Sequence, residues 1–408
     1  MLPRLKAIWI MLTGLALGLS FLYLWFTIFP GQVTPEAWHY FSAKQVEAAR
    51  AYSQGLRLCF IGSYLIQLCF LLWFVYSGRS LDFSGWTCKL AHGNYWVNLI
   101  LFFLFLWLVL RLLNLPFLLF SSYYWQHEWG FSTQTLGAWW LDYLKSDVMD
   151  LLLSSSGAWL LFWIIRRFPT TWWLYSATCI SIVLAMQIFL SPLFITPLFN
   201  HFTPVQDQTV LTMVAELSSK AELPIDQVLM MDASRRTTKS NAYFAGLGQT
   251  KQIVLYDNLL NNHPHDEVKA VIAHEMAHWR QHHILQGLGL YIIGIFLFCW
   301  LLFHLLKDMF PVLPGAPYPI HAWAIILLLF FLVVFVSSPL QGYISQSMEK
   351  EADEVAVMLT HDKPAAMRLQ VNLSIKNASD ISPPPFIQWF SSHPSPLARI
   401  ELIQKASW

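Results

Sequence analysis

The stretch "VIAHEMAHWRQHH", residues 271–283, places His274 and His278 four positions apart, with Glu275 directly after the first histidine. Acidic residues after Pro264 and apolar residues at helical spacing predict a helix here. Side chains at i and i+4 share one face of a helix, so both imidazoles can bind one Zn²⁺, and Glu275 can reach a water molecule at the metal as a general base. The stretch predicts a zinc-dependent hydrolytic centre; the alternative is a polar helix end at a membrane surface whose histidines bind nothing.

The two histidines that end this stretch do not extend the motif. The longer H-E-x-x-H-x-x-G-x-x-H pattern needs glycine at 281 and histidine at 284, where this chain has Gln281 and Ile284. We therefore expect His282 and His283 to be surface residues near the membrane interface, with no part in metal binding.

The composition is that of a membrane protein. Hydrophobic residues make up 56% of the 408 residues and charged residues only 12%, about half of the charged share in a soluble globular domain. The net charge of +1 provides no basic field that could neutralise phosphates, which excludes a nucleic-acid partner. The five cysteines form no C-x-x-C pair and say little about the redox compartment.

Crossing ~30 Å of hydrocarbon takes about 20 apolar residues. About seven runs qualify: residues 7–29, 58–77, 94–120, 149–165, 171–195, 284–306 and 321–340. We predict an α-helical polytopic membrane protein with about seven transmembrane helices embedded in the lipid bilayer. The first run is too long for a signal peptide and lacks a small-residue cleavage site, so we expect a retained anchor. We expect Arg111, in or at the end of the third run, to reach the interface; a place in a polar cavity is the alternative.

Two polar segments, called islands here, interrupt and follow these runs. One is residues 196–283, between the fifth and sixth runs, and the other is residues 343–408, after the last run. The chain then divides into an amino-terminal membrane domain of about five spans (1–195), a catalytic island with a β-hairpin and the histidine helix (196–283), a two-span hairpin (284–342) and a catalytic tail (343–408). Because a catalytic zinc needs a third protein ligand, the tail is expected to supply it.

The tail offers three candidates for that ligand. The segment "SQSMEKEADEVAVML", residues 345–359, predicts a helix with Glu349, Glu351 and Glu354 on it. Spacing alone does not choose among them, and a solvated acidic helix face is the alternative for each.

Four motifs in order resemble the integral-membrane zinc metalloproteases typified by the type 1 CAAX prenyl protease, in a prokaryotic-looking form. They are "SRRTTKSNAYFAGLGQTKQIVLYDNLL" (234–260), "HEMAH" (274–278), "EKEAD" (349–353) and "SHPSPLARI" (392–400). The segments 126–145 and 194–205 also look like parts of the family. The resemblance implies a small α/β, gluzincin-like unit with one zinc per chain, facing a water-filled chamber enclosed by the spans.

The resemblance also implies roles for single residues. The family pattern E-x-x-x-D is satisfied by Glu349 and Asp353, which singles out Glu349 as third zinc ligand. Asp353 is then placed to orient a ligand histidine through its free N–H, and an ordinary solvated aspartate is the alternative. The family's substrate strand corresponds to Asn241 and Ala242, in a predicted hairpin around "GQTK" (248–251) whose edge can bind an extended peptide. The alternative for Asn241 is a turn residue that bonds its own backbone.

The last motif carries two further residues. The resemblance implies that His393 donates a hydrogen bond to the oxyanion formed during hydrolysis; a loop histidine without a role is the alternative. Arg399 is expected to pair with a buried carboxylate near the zinc site rather than to contact substrate.

The predicted function is zinc-dependent endopeptidase activity on prenylated CAAX-type C-terminal peptides or other membrane-associated peptides and proteins. The alternative is a membrane-protein quality-control protease with no prenyl requirement. A remote alternative is a non-enzymatic seven-span transporter or receptor, which predicts ionisable residues deep in the spans.

The number of spans between the two islands, and between them and the amino terminus, predicts which of these parts share one side of the membrane. Both islands share the zinc and two spans separate them, so they lie on one side of the membrane and the amino terminus lies on the other. Basic residues in short connections are Arg4, Lys6, Arg79, Lys89, Arg166, Arg167 and Lys307 on the amino-terminal side and Lys44, Arg50, Arg57 and Lys145 on the catalytic side. The positive-inside rule favours catalysis outside the cytoplasm. Access to cytosolic prenylated tails favours the opposite, and we expect a cytosolic active site, at the inner or plasma membrane if the chain is bacterial.

Overall fold

The computed structural model describes residues 3–406 apart from 226, 246–250 and 311–317. The chain is mostly helical. The helices are α1 (Pro3–Ile28), α2 (Ala43–Tyr76), α3 (Arg79–Leu90), α4 (Tyr95–Leu119), α5 (Trp125–Glu128), α6 (Leu136–Arg167), α7 (Trp172–Leu190), α8 (Gln208–Ala221), α9 (Asp257–Asn262), α10 (His265–Arg280), α11 (His283–Met309), α12 (Ala322–Thr360), α13 (Lys363–Asn377), α14 (Pro385–Gln388) and α15 (Pro396–Lys405).

Among the described residues, seven helical segments are long and apolar enough to cross a membrane, which agrees with the predicted number of about seven spans. They are Ala7–Ile28, Ala43–Tyr76, Tyr95–Glu128, Leu136–Arg167, Trp172–Leu198, His283–Met309 and Ala322–Thr360. Several are longer than the apolar run that predicted them: the 39 residues of α12 amount to about 58 Å of helix, nearly twice the hydrocarbon thickness. Helices of this length continue beyond the bilayer and connect the membrane part rigidly to the polar part.

A small four-stranded sheet lies in the polar part of the chain. Its strands are β1 (Phe202–Pro204), β2 (Gln227–Met231), β3 (Ala242–Ala245) and β4 (Gln252–Tyr256), in the order β1-β2-β4-β3. β3 and β4 pair antiparallel, so the predicted hairpin strands are confirmed, and β3 is an edge strand. Most of the predicted turn "GQTK" lies outside the described residues.

The helix α10 packs its apolar face into the core of the polar part. Ile272, Ala273 and Met276 on this face are fully buried against apolar residues of the sheet, α8, α12 and α13. The ring of Phe244 on β3 also stacks on Trp279, with the ring centroids 4.9 Å apart. These contacts fix the rotation of α10 about its axis, so His274 and His278 point to the other side.

The connections between spans support the predicted parity. The first connection reaches the carboxyl-terminal tail, where Thr34 Oγ1 lies 2.7 Å from Ser382 Oγ. The connection between α5 and α6 pairs with the polar part through the bridge Ser132–Thr237. Both connections therefore lie on the same side of the spans as the histidine helix.

An ion cluster links α4 to α6 within their apolar segments. Arg111 pairs with Asp147, with Nη1 and Oδ1 3.5 Å apart, and with Asp150. The indole Nε1 of Trp107 donates to Asp150 Oδ2 at 2.8 Å. The charge of Arg111 is thus compensated by neighbouring carboxylates inside the protein, rather than only by reaching the interface as expected from the sequence.

Candidate metal centre and active site

Two histidines converge on one face of α10. Because His274 and His278 lie one helical turn apart, their Nε2 atoms approach to 3.2 Å. Their rings are nearly perpendicular, with centroids 4.8 Å apart. Both side chains are largely buried, with 12% and 21% of their surface exposed, and they point toward α12. They can supply two of the three protein ligands that a catalytic zinc needs.

The helix α12 adds one carboxylate to this pair. Glu349 Oε1 lies 3.3 Å from His278 Nε2, and Glu349 Oε2 lies 3.3 Å from His274 Nε2. One ligand atom from each of the three residues can be chosen so that all lie within 4.8 Å of one another. Of the three candidate glutamates, the structure therefore places Glu349 beside the histidines, whereas Glu351 and Glu354 are exposed.

The chemistry of this cluster fits a zinc ion. Two imidazole nitrogens and one carboxylate oxygen are a donor set that zinc prefers in catalytic sites. Glu349 is only 6% exposed, and its Oε2 makes no hydrogen bond of acceptable geometry to any described residue, so it has lone pairs to offer. Burial lowers the pKa of His274, but Asp353 and Glu349 more than offset this and raise it to about 9. The cluster thus stabilises positive charge at the position of a metal.

Asp353 and Arg399 lie behind His274. Asp353 Oδ1 is 3.0 Å from His274 Nδ1. Arg399 holds the same carboxylate with two hydrogen bonds, from Nε to Oδ2 at 2.7 Å and from Nη2 to Oδ1 at 2.6 Å. The partner of Arg399, which the sequence left unnamed, is Asp353. A proton on Nδ1 of His274 donates to this carboxylate and leaves Nε2 as a free donor atom for a metal.

Glu275 lies next to this cluster without joining it. Its side chain lines a cavity of about 140 Å³ together with His274, Glu349 and His393. Burial raises the pKa of Glu275, while the positive charge of His274 and His278 opposes that shift. A raised pKa suits a carboxylate that must accept a proton and later release it.

The edge strand β3 begins at the same cavity. Asn241 and Ala242 both line it; Asn241 is exposed and Ala242 is buried. Since β4 is the one strand paired with β3 among the described residues, the other side of β3 offers backbone groups to an extended peptide. The structure thus brings the two residues and the histidine cluster to one cavity.

His393 approaches the cluster from the segment between α14 and α15, residues 389–395, named here the His393 loop. Its Nδ1 lies 3.0 Å from Glu349 Oε2, and its side chain is 61% exposed. Gln346 of α12 fixes the loop by donating from Nε2 to the carbonyl oxygens of Gln388 at 2.7 Å and Ser391 at 2.9 Å. Sequence reasoning missed Gln346, although it lies one turn before Glu349 on the same helix face.

The prediction for His283 is wrong. The residue is only 5% exposed, and its Nδ1 lies 2.9 Å from Nδ1 of His278. The physical reason is an interruption between two helices. His282 has a left-handed backbone with φ of 56° and separates α10 from α11. This change of backbone direction turns His283 back onto His278, whereas the side chain of His282 is exposed as expected.

Comparisons with known proteins agree with this architecture. Residues 204–407 match the family described as Peptidase family M48, and residues 29–201 match the one described as CAAX prenyl protease N-terminal, five membrane helices. The first match covers the polar segments together with the last two spans, and the second covers four of the five earlier spans. They confirm the family resemblance on which the sequence reasoning relied.

Individual relatives resemble the chain over most of its length. A Bacillus subtilis (strain 168) protein named Uncharacterized metalloprotease YhfN is 29% identical over 416 residues, covering 97% of this chain and 96% of the relative. CAAX prenyl protease 1 of Saccharomyces cerevisiae (strain ATCC 204508 / S288c) is 28% identical over 327 residues, covering 72% of this chain and 70% of the relative. The crystal structure of S. mikatae Ste24p superposes with a TM-score of 0.84 at 25% identity, over 99% of both chains. The chain therefore belongs to peptidase family M48, as an integral-membrane zinc metalloprotease.

Proposed function

We propose that His274, His278 and Glu349 hold one zinc ion per chain and that the site hydrolyses peptide bonds. The observation that carries the proposal is the convergence of these three side chains, with ligand atoms within 4.8 Å of one another, on a cavity that also contains Glu275. When bound, zinc supplies a Lewis acid that polarises the scissile carbonyl and makes a water molecule easier to deprotonate.

The side chains around the metal carry out the proton transfers. Glu275 takes a proton from the attacking water and then delivers it to the nitrogen of the leaving amine, because its raised pKa suits both steps. His393 donates an N–H to the oxyanion of the tetrahedral intermediate, where a donor in a partly enclosed site is worth most. Asp353 and Arg399 hold His274 in the required tautomer and do not contact the substrate.

The substrate backbone binds beside β3. An extended peptide that adds to this edge at Asn241 and Ala242 forms main-chain hydrogen bonds, which depend little on its sequence. The same cavity is lined by both residues and by Glu275, so a peptide on the strand reaches the reacting groups.

We further propose that residues 196–283 and 343–408 form one catalytic unit, with residues 1–195 and 284–342 as its membrane parts. The support is the shared core: Ile272 of the first polar segment and Val357 of the second are buried in one apolar cluster. The family resemblance supports the further proposal that the active site faces a water-filled chamber enclosed by the spans.

Two substrate classes fit such a site. The first comprises prenylated CAAX-type C-terminal peptides, supported by the match of residues 29–201 to the family described as CAAX prenyl protease N-terminal, five membrane helices. The second comprises membrane-associated chains without a prenyl group, as in membrane-protein quality control. The Bacillus subtilis relative, which aligns over 97% of this chain against 72% for the yeast prenyl protease, is named only as a metalloprotease, so the match over nearly the whole chain carries no prenyl requirement with it.

The site faces the cytosol in this proposal, at the inner or plasma membrane if the chain is bacterial. Substrate access supports this orientation, because prenylated tails are exposed on that side. The excess of basic residues on the amino-terminal side favours the reverse, but the polar segments are too long for the charge rule to govern them.

Cleavage assays with the purified protein in detergent test both parts of the proposal. A farnesylated peptide and the same peptide without the farnesyl group are incubated with the protein, each with and without a zinc chelator. Cleavage that the chelator abolishes supports the zinc mechanism, and cleavage of the farnesylated peptide alone supports the first substrate class. Equal cleavage of both peptides favours the second class, and no chelator-sensitive cleavage of either contradicts the proposal.

A further inference from the structure

His283 occupies a position that the metal ligands do not explain. It is 5% exposed, and its ring packs edge-on against the ring of His278, with centroids 5.0 Å apart. Its Nδ1 lies 2.9 Å from His278 Nδ1, and its Nε2 lies 3.3 Å from Glu351 Oε2. Since both ring nitrogens already face other groups, His283 is not a fourth metal ligand.

Metal binding decides where the protons lie in this chain of contacts. His278 presents Nε2 to the other two proposed ligands, at 3.2 Å from His274 Nε2. If Nε2 binds the metal, a neutral His278 carries its proton on Nδ1. That proton points at Nδ1 of His283, only 2.9 Å away. A hydrogen bond here requires His283 to accept at Nδ1 and therefore to carry its own proton on Nε2. The Nε2–H then donates to the Glu351 carboxylate.

We propose that His283 is a positioning residue for His278, holding the ligand in its metal-binding tautomer and orientation, with Glu351 in turn orienting His283. This inference rests on the proposed ligand set. It gives His278 the kind of partner that Asp353 is for His274, whose Nδ1 it meets at 3.0 Å. Each of the two ligand histidines then has its outer nitrogen anchored, which is the common arrangement around metal-bound imidazole.

The surroundings of Glu351 fit this role. Gln281, at the end of α10, donates a hydrogen bond from its side-chain amide to Glu351 Oε1, which leaves Oε2 for His283. Glu351 is half-exposed, with 48% of its side chain accessible, while the side chain of His283 is 4% accessible. The carboxylate is therefore solvated on one side and directed at the buried imidazole on the other.

Zinc affinity tests the proposal without depending on peptidase activity. The full-length protein in detergent is stripped of metal, and the zinc Kd is measured by competition with a chromophoric chelator. His283→Leu removes the acceptor while keeping apolar bulk, and we expect the Kd to rise about 10- to 100-fold. His283→Asn places an amide oxygen near the position of Nδ1, so it should recover most of that loss. His282→Asn is the matched control, because its side chain is exposed and asparagine tolerates a left-handed backbone; its Kd should not change.

A further variant covers the case in which His283→Leu does not fold, as judged by thermal unfolding of the metal-free protein. Glu351→Ala changes a half-exposed residue and should raise the zinc Kd about tenfold, the lower end of the effect of losing a hydrogen-bond partner of a metal-ligand histidine. Wild-type affinity in folded His283→Leu, or in Glu351→Ala if the leucine variant is unfolded, would overturn the positioning role alone. A loss of zinc affinity in His283→Asn as large as that in His283→Leu would also overturn the positioning role. Failure of the unaltered protein to bind zinc would overturn the ligand set as well.

Discussion

Gly342 on α12 lies directly against the backbone of Trp389, at the start of the His393 loop. A Cβ at position 342 would collide with the carbonyl oxygen of Trp389 and would lie 3.0 Å from that of Ser391. Both are backbone atoms, so they cannot rotate away as the end of a side chain can. Together with the hydrogen bonds from Gln346, this close approach sets the distance between α12 and His393.

Gly342→Ala should therefore displace the His393 loop without touching a metal ligand. We expect kcat to fall about 10- to 100-fold, because a shift of about 1 Å in a reacting group has effects of this size. Zinc content should stay at one per chain. Gly287→Ala on α11 is the control, since a Cβ there meets no atom within 4 Å. An unchanged kcat in Gly342→Ala would show that the loop adjusts freely.

Glu275→Gln should retain zinc and lose nearly all turnover. The amide keeps the shape of the side chain but cannot accept the proton of the attacking water, and general-base catalysis contributes about 10²–10⁴-fold. Peptide cleavage and metal analysis of the same preparation check both halves. Glu354→Gln, an exposed residue of α12, is the matched control. Turnover within a factor of a few of the unaltered protein would contradict the assigned base.

Glu349→Ala should lose the metal. Two histidines remain, but a buried oxygen that lies 3.3 Å from His278 Nε2 is removed, and zinc affinity depends on the full ligand set. Metal analysis after gel filtration measures the loss, with Glu354→Ala as the matched control. Stoichiometric zinc in Glu349→Ala would contradict the assignment of Glu349 as the third ligand.

His393→Ala should keep its zinc and lose rate. One oxyanion donor is commonly worth about 10²-fold or more in kcat, and the side chain is 61% exposed, so its removal should not destabilise the fold. Steady-state kinetics distinguish an effect on kcat from an effect on KM, with Ser392→Ala as the neighbouring control. An effect confined to KM would assign His393 to substrate binding.

The membrane side of the active site is open to a direct measurement. Alkaline phosphatase fused after Trp408 and expressed in a bacterium should be inactive, because the tail lies in the cytosol if the active site faces it. A fluorescent protein fused after Trp408, which reports a cytosolic location of the tail, serves as the positive control. An active phosphatase fusion would place the catalytic side outside the cytoplasm.

Much of the fold follows from local properties of the chain. A run of apolar residues long enough to cross the bilayer forms a span wherever it occurs, since its length and hydropathy do not depend on distant contacts. The pairing of His274 with His278 is equally local, because the helical repeat alone places them on one face. The sequence therefore determined the seven spans, the histidine helix and the strands β3 and β4.

Tertiary structure decided what depends on packing between elements. Spacing left three glutamates open, and the contact of α10 with α12 turns Glu349 to the histidines while Glu351 faces His283. A residue five positions after His278 in an unbroken helix would lie about 140° around the axis. The left-handed backbone at His282 instead folds His283 back onto His278. Burial of this kind depends on where two helices meet, and no local pattern encodes that meeting point.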